Sequence, residues 1–265
     1  MPKVTVNNIS MNYEIHGEGF PIVMITGLSF CLRIWDKSLI DELSKKFKVI
    51  LFDNRGAGQT DIPEGEFTIK MMADDTVGLM DILNIECAYV LGFSMGGMIA
   101  QEVVLNYPQK VEKLILWGTA CGGRKSIPPD LAVYKLLIGA IEDLTPERLA
   151  KSTIPLVFTR DFIKNNPEYI NDKIQRILKC RIPFSSYARQ AKAMFNFNIC
   201  RRLKKIYTPT LIMQGKHDIL VPPQNSEILA ELIPGARLII FENSGHAIYP
   251  HESELFITSL LEFLE

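Results

Sequence analysis

The chain has 265 residues, of which 47% are apolar and 22% charged, and its formal net charge is −1. This composition supports a packed core and excludes a disordered chain, and near-neutrality excludes a whole-molecule field for gathering nucleic acid. The uncharged run Cys87 to Gln101 is shorter than the roughly 20 residues a membrane helix needs, and the opening MPKVTVNNIS lacks the apolar stretch of a secretion signal.

A cytoplasmic protein without membrane contact is therefore expected. The five cysteines, Cys31, Cys87, Cys121, Cys180 and Cys200, are odd in number, widely spaced and free of any CxxC pair. That pattern argues against a disulfide framework and a zinc site and for reduced thiols. No metal or cofactor is expected.

In chain order, the alternation in KVTVNNISMNYEIHG predicts two exposed-edge strands joined by a turn. Short apolar runs follow: PIVMITG, FKVILFD, CAYVLGF, EKLILWGTA, PTLIMQG and ARLIIFEN. Their near-continuous aliphatic content marks strands covered on both faces, as in a parallel sheet. Helical patterns fall between them at Asp36 to Lys46, Thr68 to Leu83, Gly96 to Tyr107, Pro222 to Leu232 and Glu252 to Leu264. Strand and helix thus alternate in the order of a doubly wound α/β sheet.

The alternation breaks after Trp117. Residues 122–207 read as helical, punctuated by Pro128, Pro146, Pro155, Pro167 and Pro183, and include the apolar stretch LAVYKLLIGAI. This predicts a helical insertion between core segments 1–121 and 208–265. The insertion holds 17 Lys and Arg against 7 Asp and Glu, whereas the rest holds 12 against 23. Two explanations stand: solvated basic faces beside an acidic core, or a site for an anionic substrate or an acidic carrier protein.

Gly92, Ser94 and Gly96 form GxSxG between a strand-like run and a helix-like one, the context in which this motif lifts a serine nucleophile on a strained turn. A serine hydroxyl needs a base to take its proton, and the base needs an acid to fix its tautomer. Of four histidines, His246 in ENSGHAIYP follows the last strand, at the end of the sheet where open α/β folds place their sites. His251 is the fallback. Asp218 in MQGKHDILVPP supplies the acid, giving the chain order Ser, Asp, His. Asp74, Asp75 and Asp81 read as the polar face of their helix. Backbone N–H groups of Met95, after the serine, and Leu28, after Gly27 in VMITGLSF, are the candidate oxyanion donors. RGAGQT lacks the third glycine of a dinucleotide loop and a P-loop Lys-Ser/Thr ending. Asp53 and Arg55 there read as structural.

Taken together, GFSMGG, GKHDILVP, SGHAIYP and DNRGAGQTD make the chain resemble the α/β-hydrolase family over nearly its whole length. The resemblance implies the α/β-hydrolase fold, a mostly parallel doubly wound sheet with helices on both faces, and residues 122–207 as a helical cap. One departure is Thr26-Gly27, where many relatives carry His-Gly. A serine at position 94 also sets the chain apart from the family's aspartate-dependent dehalogenases and epoxide hydrolases.

The chemistry implied is acyl transfer from a small-molecule carboxylic ester or lactone to water through an acyl-enzyme. Alternatives are an enol-lactonase or acyl-carrier methyl esterase acting on an anionic substrate, with Arg124, Arg160 or Arg189 meeting its charge, and a small-molecule receptor of slow turnover. Trp35 is a candidate substrate contact. Tyr134, Phe158, Phe162, Phe195 and Phe197 are candidate wall or core residues.

Overall fold

A computed structural model describes residues 2–139, 146–180 and 182–265. The end of the LAVYKLLIGAI stretch, Ala140 and Ile141, lies outside the described residues. Eight strands form one sheet: β1 (Lys3–Val6), β2 (Ile9–His16), β3 (Phe20–Ile25), β4 (Phe47–Phe52), β5 (Ala88–Phe93), β6 (Val111–Trp117), β7 (Thr210–Gly215) and β8 (Arg237–Phe241). Their order is β1-β2-β4-β3-β5-β6-β7-β8; β2 pairs antiparallel with β1 and β4, and β3 to β8 run parallel.

All six apolar runs are strands. Consecutive residues in them feed opposite cores: Val23 and Ile25 pack on one face of β3 and Ile22 and Met24 on the other, all fully buried. Each such aliphatic side chain contributes about 1.5–3 kcal/mol over its exposed state, which explains the absence of polar alternation in these segments.

The helices are α1 (Lys37–Leu43), α2 (Ile69–Ile82), α3 (Met95–Asn106), α4 (Leu131–Gly139), α5 (Pro146–Val157), α6 (Arg160–Asn165), α7 (Pro167–Lys179), α8 (Phe184–Phe195), α9 (Gln224–Leu232), α10 (Ile248–His251) and α11 (Ser253–Leu264). The first core gathers apolar residues of α2, α3 and α9, and the second those of α1, α5, α7 and α11. Among the described residues, five helices, α4 to α8, stand between β6 and β7. Pro146 and Pro167 open α5 and α7, where the missing N–H costs nothing, and Pro183 sits just before α8.

Three expectations are corrected. The hairpin turns through Asn7 and Asn8 at φ of 46° and 64°, a left-handed pair suited to a tight hairpin, but of its two strands β1 alone lies at a sheet edge. β2 lies between β1 and β4, with Met11 and Asn12 fully buried.

The cysteines are not all reduced thiols. Cys31 is bonded to Cys180 and Cys121 to Cys200, across sequence separations of 149 and 79 residues, and Cys87 is the free thiol. Spacing along the chain carried no sign of this, because the insertion folds back onto the core and brings distant cysteines together.

Asp75 does not belong to a polar helix face. It is 1% exposed and takes two hydrogen bonds from Arg55, at 2.6 and 2.7 Å. The turn after β4 thereby locks onto α2.

Candidate active site

β5 ends at Phe93 and α3 starts at Met95, so a single residue, Ser94, makes the turn. Its φ of 57° and ψ of −120° are strained for an L-residue, and such strain persists only where surrounding structure enforces it. The flanking glycines do so. A Cβ on Gly92 would lie 2.3 Å from the Gly96 carbonyl oxygen, and one on Gly96 would lie 2.1 Å from that of Ile25. Strand and helix can approach this closely only without side chains at those positions.

β7 ends at Gly215, and Asp218 follows in the next turn, 4% exposed. Every lone-pair direction of its carboxylate is engaged. Oδ1 accepts from the Leu220 and Val221 N–H groups, each at 2.9 Å, and Oδ2 accepts from the Gln214 side-chain amide at 3.1 Å. The same Oδ2 lies 2.6 Å from Nδ1 of His246, which follows β8 and is 2% exposed. The Trp117 indole N–H donates to the His246 carbonyl at 3.0 Å, and the Phe93 ring packs 4.8 Å from the imidazole. Because carboxylate oxygens only accept, Nδ1 carries the proton, which leaves the Nε2 lone pair for chemistry.

Ser94 and His246 line one pocket of about 270 Å³ together with Leu28. No hydrogen bond joins the Ser94 hydroxyl to His246 among the described residues. Met95 is the first residue of α3, where a helix leaves its N–H unpaired and its dipole positive. Leu28 follows Gly27 in the turn after β3, where a Cβ on Gly27 would lie 3.1 Å from the Cβ of Ser94. Both residues expected to supply oxyanion donors therefore lie near Ser94.

Most of the remaining pocket wall is apolar, Phe30, Met98, Ile127, Leu156, Val157 and Phe197 among it, with Ser29, Ser126, Thr153 and Asn225 as uncharged polar members. Tyr134 and Phe195 also line it, whereas Phe158 and Phe162 pack with His251 elsewhere. Tyr187 contributes its ring, and burial pushes its hydroxyl up to about 12, so a neutral phenol donates to the Leu137 carbonyl at 2.8 Å. Apart from His246, the described lining contains no ionisable acid or base of the Asp, Glu, Lys or Arg type.

None of the three candidate arginines lines this pocket. Arg189 donates to the carbonyls of Pro63 and Gly65 and lies over the Phe67 ring at 4.3 Å. Arg160 borders a separate surface cleft, and Arg124 is exposed in the middle of the short turn Gly123–Lys125. Trp35 lines a separate 40 Å³ cavity and packs edge-on to Phe93 and tilted against Trp117; Phe30 and Val157 line both that cavity and the main pocket. His251 is likewise elsewhere, with Thr159 N–H donating to its Nε2 at 3.3 Å and its Nδ1 bonded to the Ala247 carbonyl at 2.7 Å.

Several supporting residues escaped sequence reasoning. Gln214 holds Asp218, and Asn225 exchanges two 2.9 Å hydrogen bonds with the Ile127 backbone, which pins the pocket-lining loop to α9. Gln214 had a legible signal: a polar amide inside the buried run PTLIMQG must find a partner. Asn225 had none, since its partner lies 98 residues away.

A family model described as alpha/beta hydrolase fold matches residues 21–141 and 142–252. A Stutzerimonas stutzeri protein named "Putative carbamate hydrolase RutD" is 27% identical over 263 residues, covering 96% of each chain. The enol-lactonase of Burkholderia xenovorans LB400 superposes with a TM-score of 0.88 at 27% identity, covering 99% of each chain. A thermophilic esterase from Thermogutta terrifontis gives 0.85 at 26%, covering 99% of this chain and 97% of the esterase. Among the described residues no helix is long and apolar enough to cross a membrane. The chain belongs to the α/β-hydrolase fold family and is a hydrolase.

Proposed function

We propose that this hydrolase cleaves neutral, largely apolar carboxylic esters or lactones through an acyl-serine intermediate. The observation that carries the reading is the buried 2.6 Å contact of His246 with Asp218, placed in one pocket with the strained Ser94. Ser94 Oγ attacks the acyl carbon while His246 Nε2 takes its proton, and the Asp218 carboxylate stabilises the imidazolium. The Leu28 and Met95 N–H groups hold the tetrahedral oxyanion. Collapse expels the alkoxide as His246 returns the proton, leaving Ser94 acylated. Water, activated by the same imidazole, then releases the carboxylic acid and restores the serine.

Substrate class follows from the wall. An ionised substrate group in an apolar pocket loses several kcal/mol of solvation unless a counter-charge meets it, and the described lining offers none. That favours neutral esters over the anionic substrates considered above. Residues 122–207 act as the cap, with 1–121 and 208–265 as core, because α4, α5 and α8 supply one side of the pocket. A cytoplasmic location is in tension with two disulfides, which persist in oxidising surroundings.

The test is a panel of nitrophenyl and alkyl esters, lactones and carbamates, graded by acyl length and charge, with the native chain and Ser94→Ala. Neutral acyl chains of intermediate length should be cleaved fastest, and Ser94→Ala should fall to background. Preference for anionic esters would sink the substrate assignment. Cleavage of carbamates alone would replace it, as would ligand binding with negligible turnover.

A further inference from the structure

The last glycine of GFSMGG has no part in the chemistry above, and the structure shows what it makes room for. A Cβ on Gly97 would lie 2.6 Å from the Cβ and Cγ2 of Thr119 and 2.7 Å from its hydroxyl oxygen. Thr119, in the loop after β6, is 1% exposed and packs against the first turn of α3. From there its hydroxyl donates to the Ser94 carbonyl at 2.8 Å.

That carbonyl belongs to the peptide joining Ser94 to Met95, the same planar unit that carries the Met95 N–H. Turning the peptide about its flanking bonds therefore moves the carbonyl and the N–H together. Within α3 the carbonyl accepts from Gly97 N–H at 2.9 Å and, at a longer 3.4 Å, from Met98 N–H. Ser94 itself sits at strained φ and ψ, a conformation that needs restraint from its surroundings. The end of β6 and its loop supply it. Trp117 carbonyl accepts the Ser94 N–H at 2.9 Å, and the buried Gln101 side chain on α3 donates to the Ala120 carbonyl at 3.1 Å and to that of Gly97 at 3.0 Å. Of these ties, the Thr119 hydroxyl is the one that reaches the peptide bearing the oxyanion donor. A donor on that carbonyl also polarises the amide and strengthens its N–H.

We propose that Thr119 is a positioning residue for the oxyanion hole: its hydroxyl fixes and polarises the Ser94–Met95 peptide, whose N–H meets the reacting carbonyl oxygen. The inference rests on the serine mechanism proposed above. Thr119 does not line the pocket, so its effect falls on the rate of acylation and not on substrate binding.

The experiment compares Thr119→Val, close in shape but without the hydroxyl, with Thr119→Ser, which keeps the hydroxyl and loses the methyl. Three readouts are taken: the rate of phosphonylation of Ser94 by a fluorophosphonate, kcat and KM for the best ester, and the ratio of kcat/KM for that ester to that of its thiono analogue, whose sulfur accepts hydrogen bonds weakly. Thr119→Val should slow phosphonylation and kcat by about 3- to 15-fold with KM held within about twofold. The ratio of oxygen to thiono ester should fall with them, because the oxygen ester draws more on the Met95 N–H. Thr119→Ser should keep the rates within about twofold of native and the ratio unchanged. Equal losses in the two variants, a rise in KM with kcat retained, or equal losses on the oxygen and thiono esters would each overturn the proposal. Should thermal melts show Thr119→Val unfolded at the assay temperature, Thr119→Ala carries the same comparison. A native chain that phosphonylates at Ser94 yet cleaves none of the esters would sink the ester assignment alone, since the labelling rates still decide the role of Thr119.

Discussion

Gln214 donates its side-chain N–H to Asp218 Oδ2 at 3.1 Å, the same oxygen that accepts from His246 Nδ1 at 2.6 Å. Two donors on one oxygen, and two backbone N–H groups on the other, fix the carboxylate so that only one imidazole tautomer fits it. Asp218→Asn should invert that tautomer and lower kcat by about 10⁴-fold. Gln214→Leu removes one hydrogen bond to a charged group and should lower kcat by roughly tenfold. Steady-state kinetics on one ester checks both, and equal effects from the two substitutions would contradict the division of roles.

Packing at the elbow sets a second expectation. Since a Cβ at position 96 would lie 2.1 Å from the Ile25 carbonyl oxygen, Gly96→Ala must push α3 away from β3. A loss of about 3 kcal/mol or more is expected by urea unfolding, and activity should be lost with it because Ser94 moves with the helix. A variant of native stability and rate would show that the elbow tolerates more space than its geometry implies.

The Arg55–Asp75 pair is buried at both ends, at 9% and 1% side-chain exposure. Removing one partner strands a charge in the core, so Asp75→Asn should destabilise by about 3–5 kcal/mol. The paired replacement Arg55→Met with Asp75→Leu should cost clearly less than Asp75→Asn, measured by the same unfolding curves, because no unpaired charge remains.

Burial lowers the His251 imidazole below its ordinary value of 6.5. Above pH 6.5 the ring is neutral in both folded and unfolded chains and contributes nothing to pH dependence. As pH falls through 6.5 the unfolded chain takes up the proton first, so stability declines on the acid side. His251→Gln should flatten the loss of unfolding free energy between about pH 7 and pH 5. Unchanged slopes would assign the acid sensitivity to other groups.

Alkylation tests the cysteine assignment. Denatured without reductant, the protein should label at Cys87 alone; with reductant, at all five cysteines. Each cross-link closes a long loop and is worth about 4 kcal/mol against the reduced chain, so reduction should lower the melting temperature by several degrees. Labelling at more than one position without reductant would restore the reduced-thiol expectation.

Much of the architecture was legible because burial on both faces of a sheet forces continuous aliphatic runs, and those runs and the helical patterns between them match the observed strands and helices closely. The positions of Ser94, Asp218 and His246 were legible for a related reason: the tight turn at Ser94 needs small neighbours on both sides, and the other two stand on loops at the carboxyl ends of later strands. Errors arose where a residue's partner lies far along the chain. Asp75 looked like solvent-facing helix until Arg55 met it, and β2 looked like an edge until β4 paired with it.

By itself the sequence determined which segments form strands and helices and where a hydroxyl, an imidazole and a carboxylate stand along the chain, because hydrophobic periodicity and glycine placement are local properties. Only the tertiary structure decided which cysteines join, that no described Lys or Arg of the insertion lines the pocket, and that Gln190 reaches across 161 residues to the turn bearing Leu28. Those outcomes depend on how one insertion docks on one core, and docking is fixed by the sum of many distant contacts rather than by any pattern in a neighbouring stretch of chain.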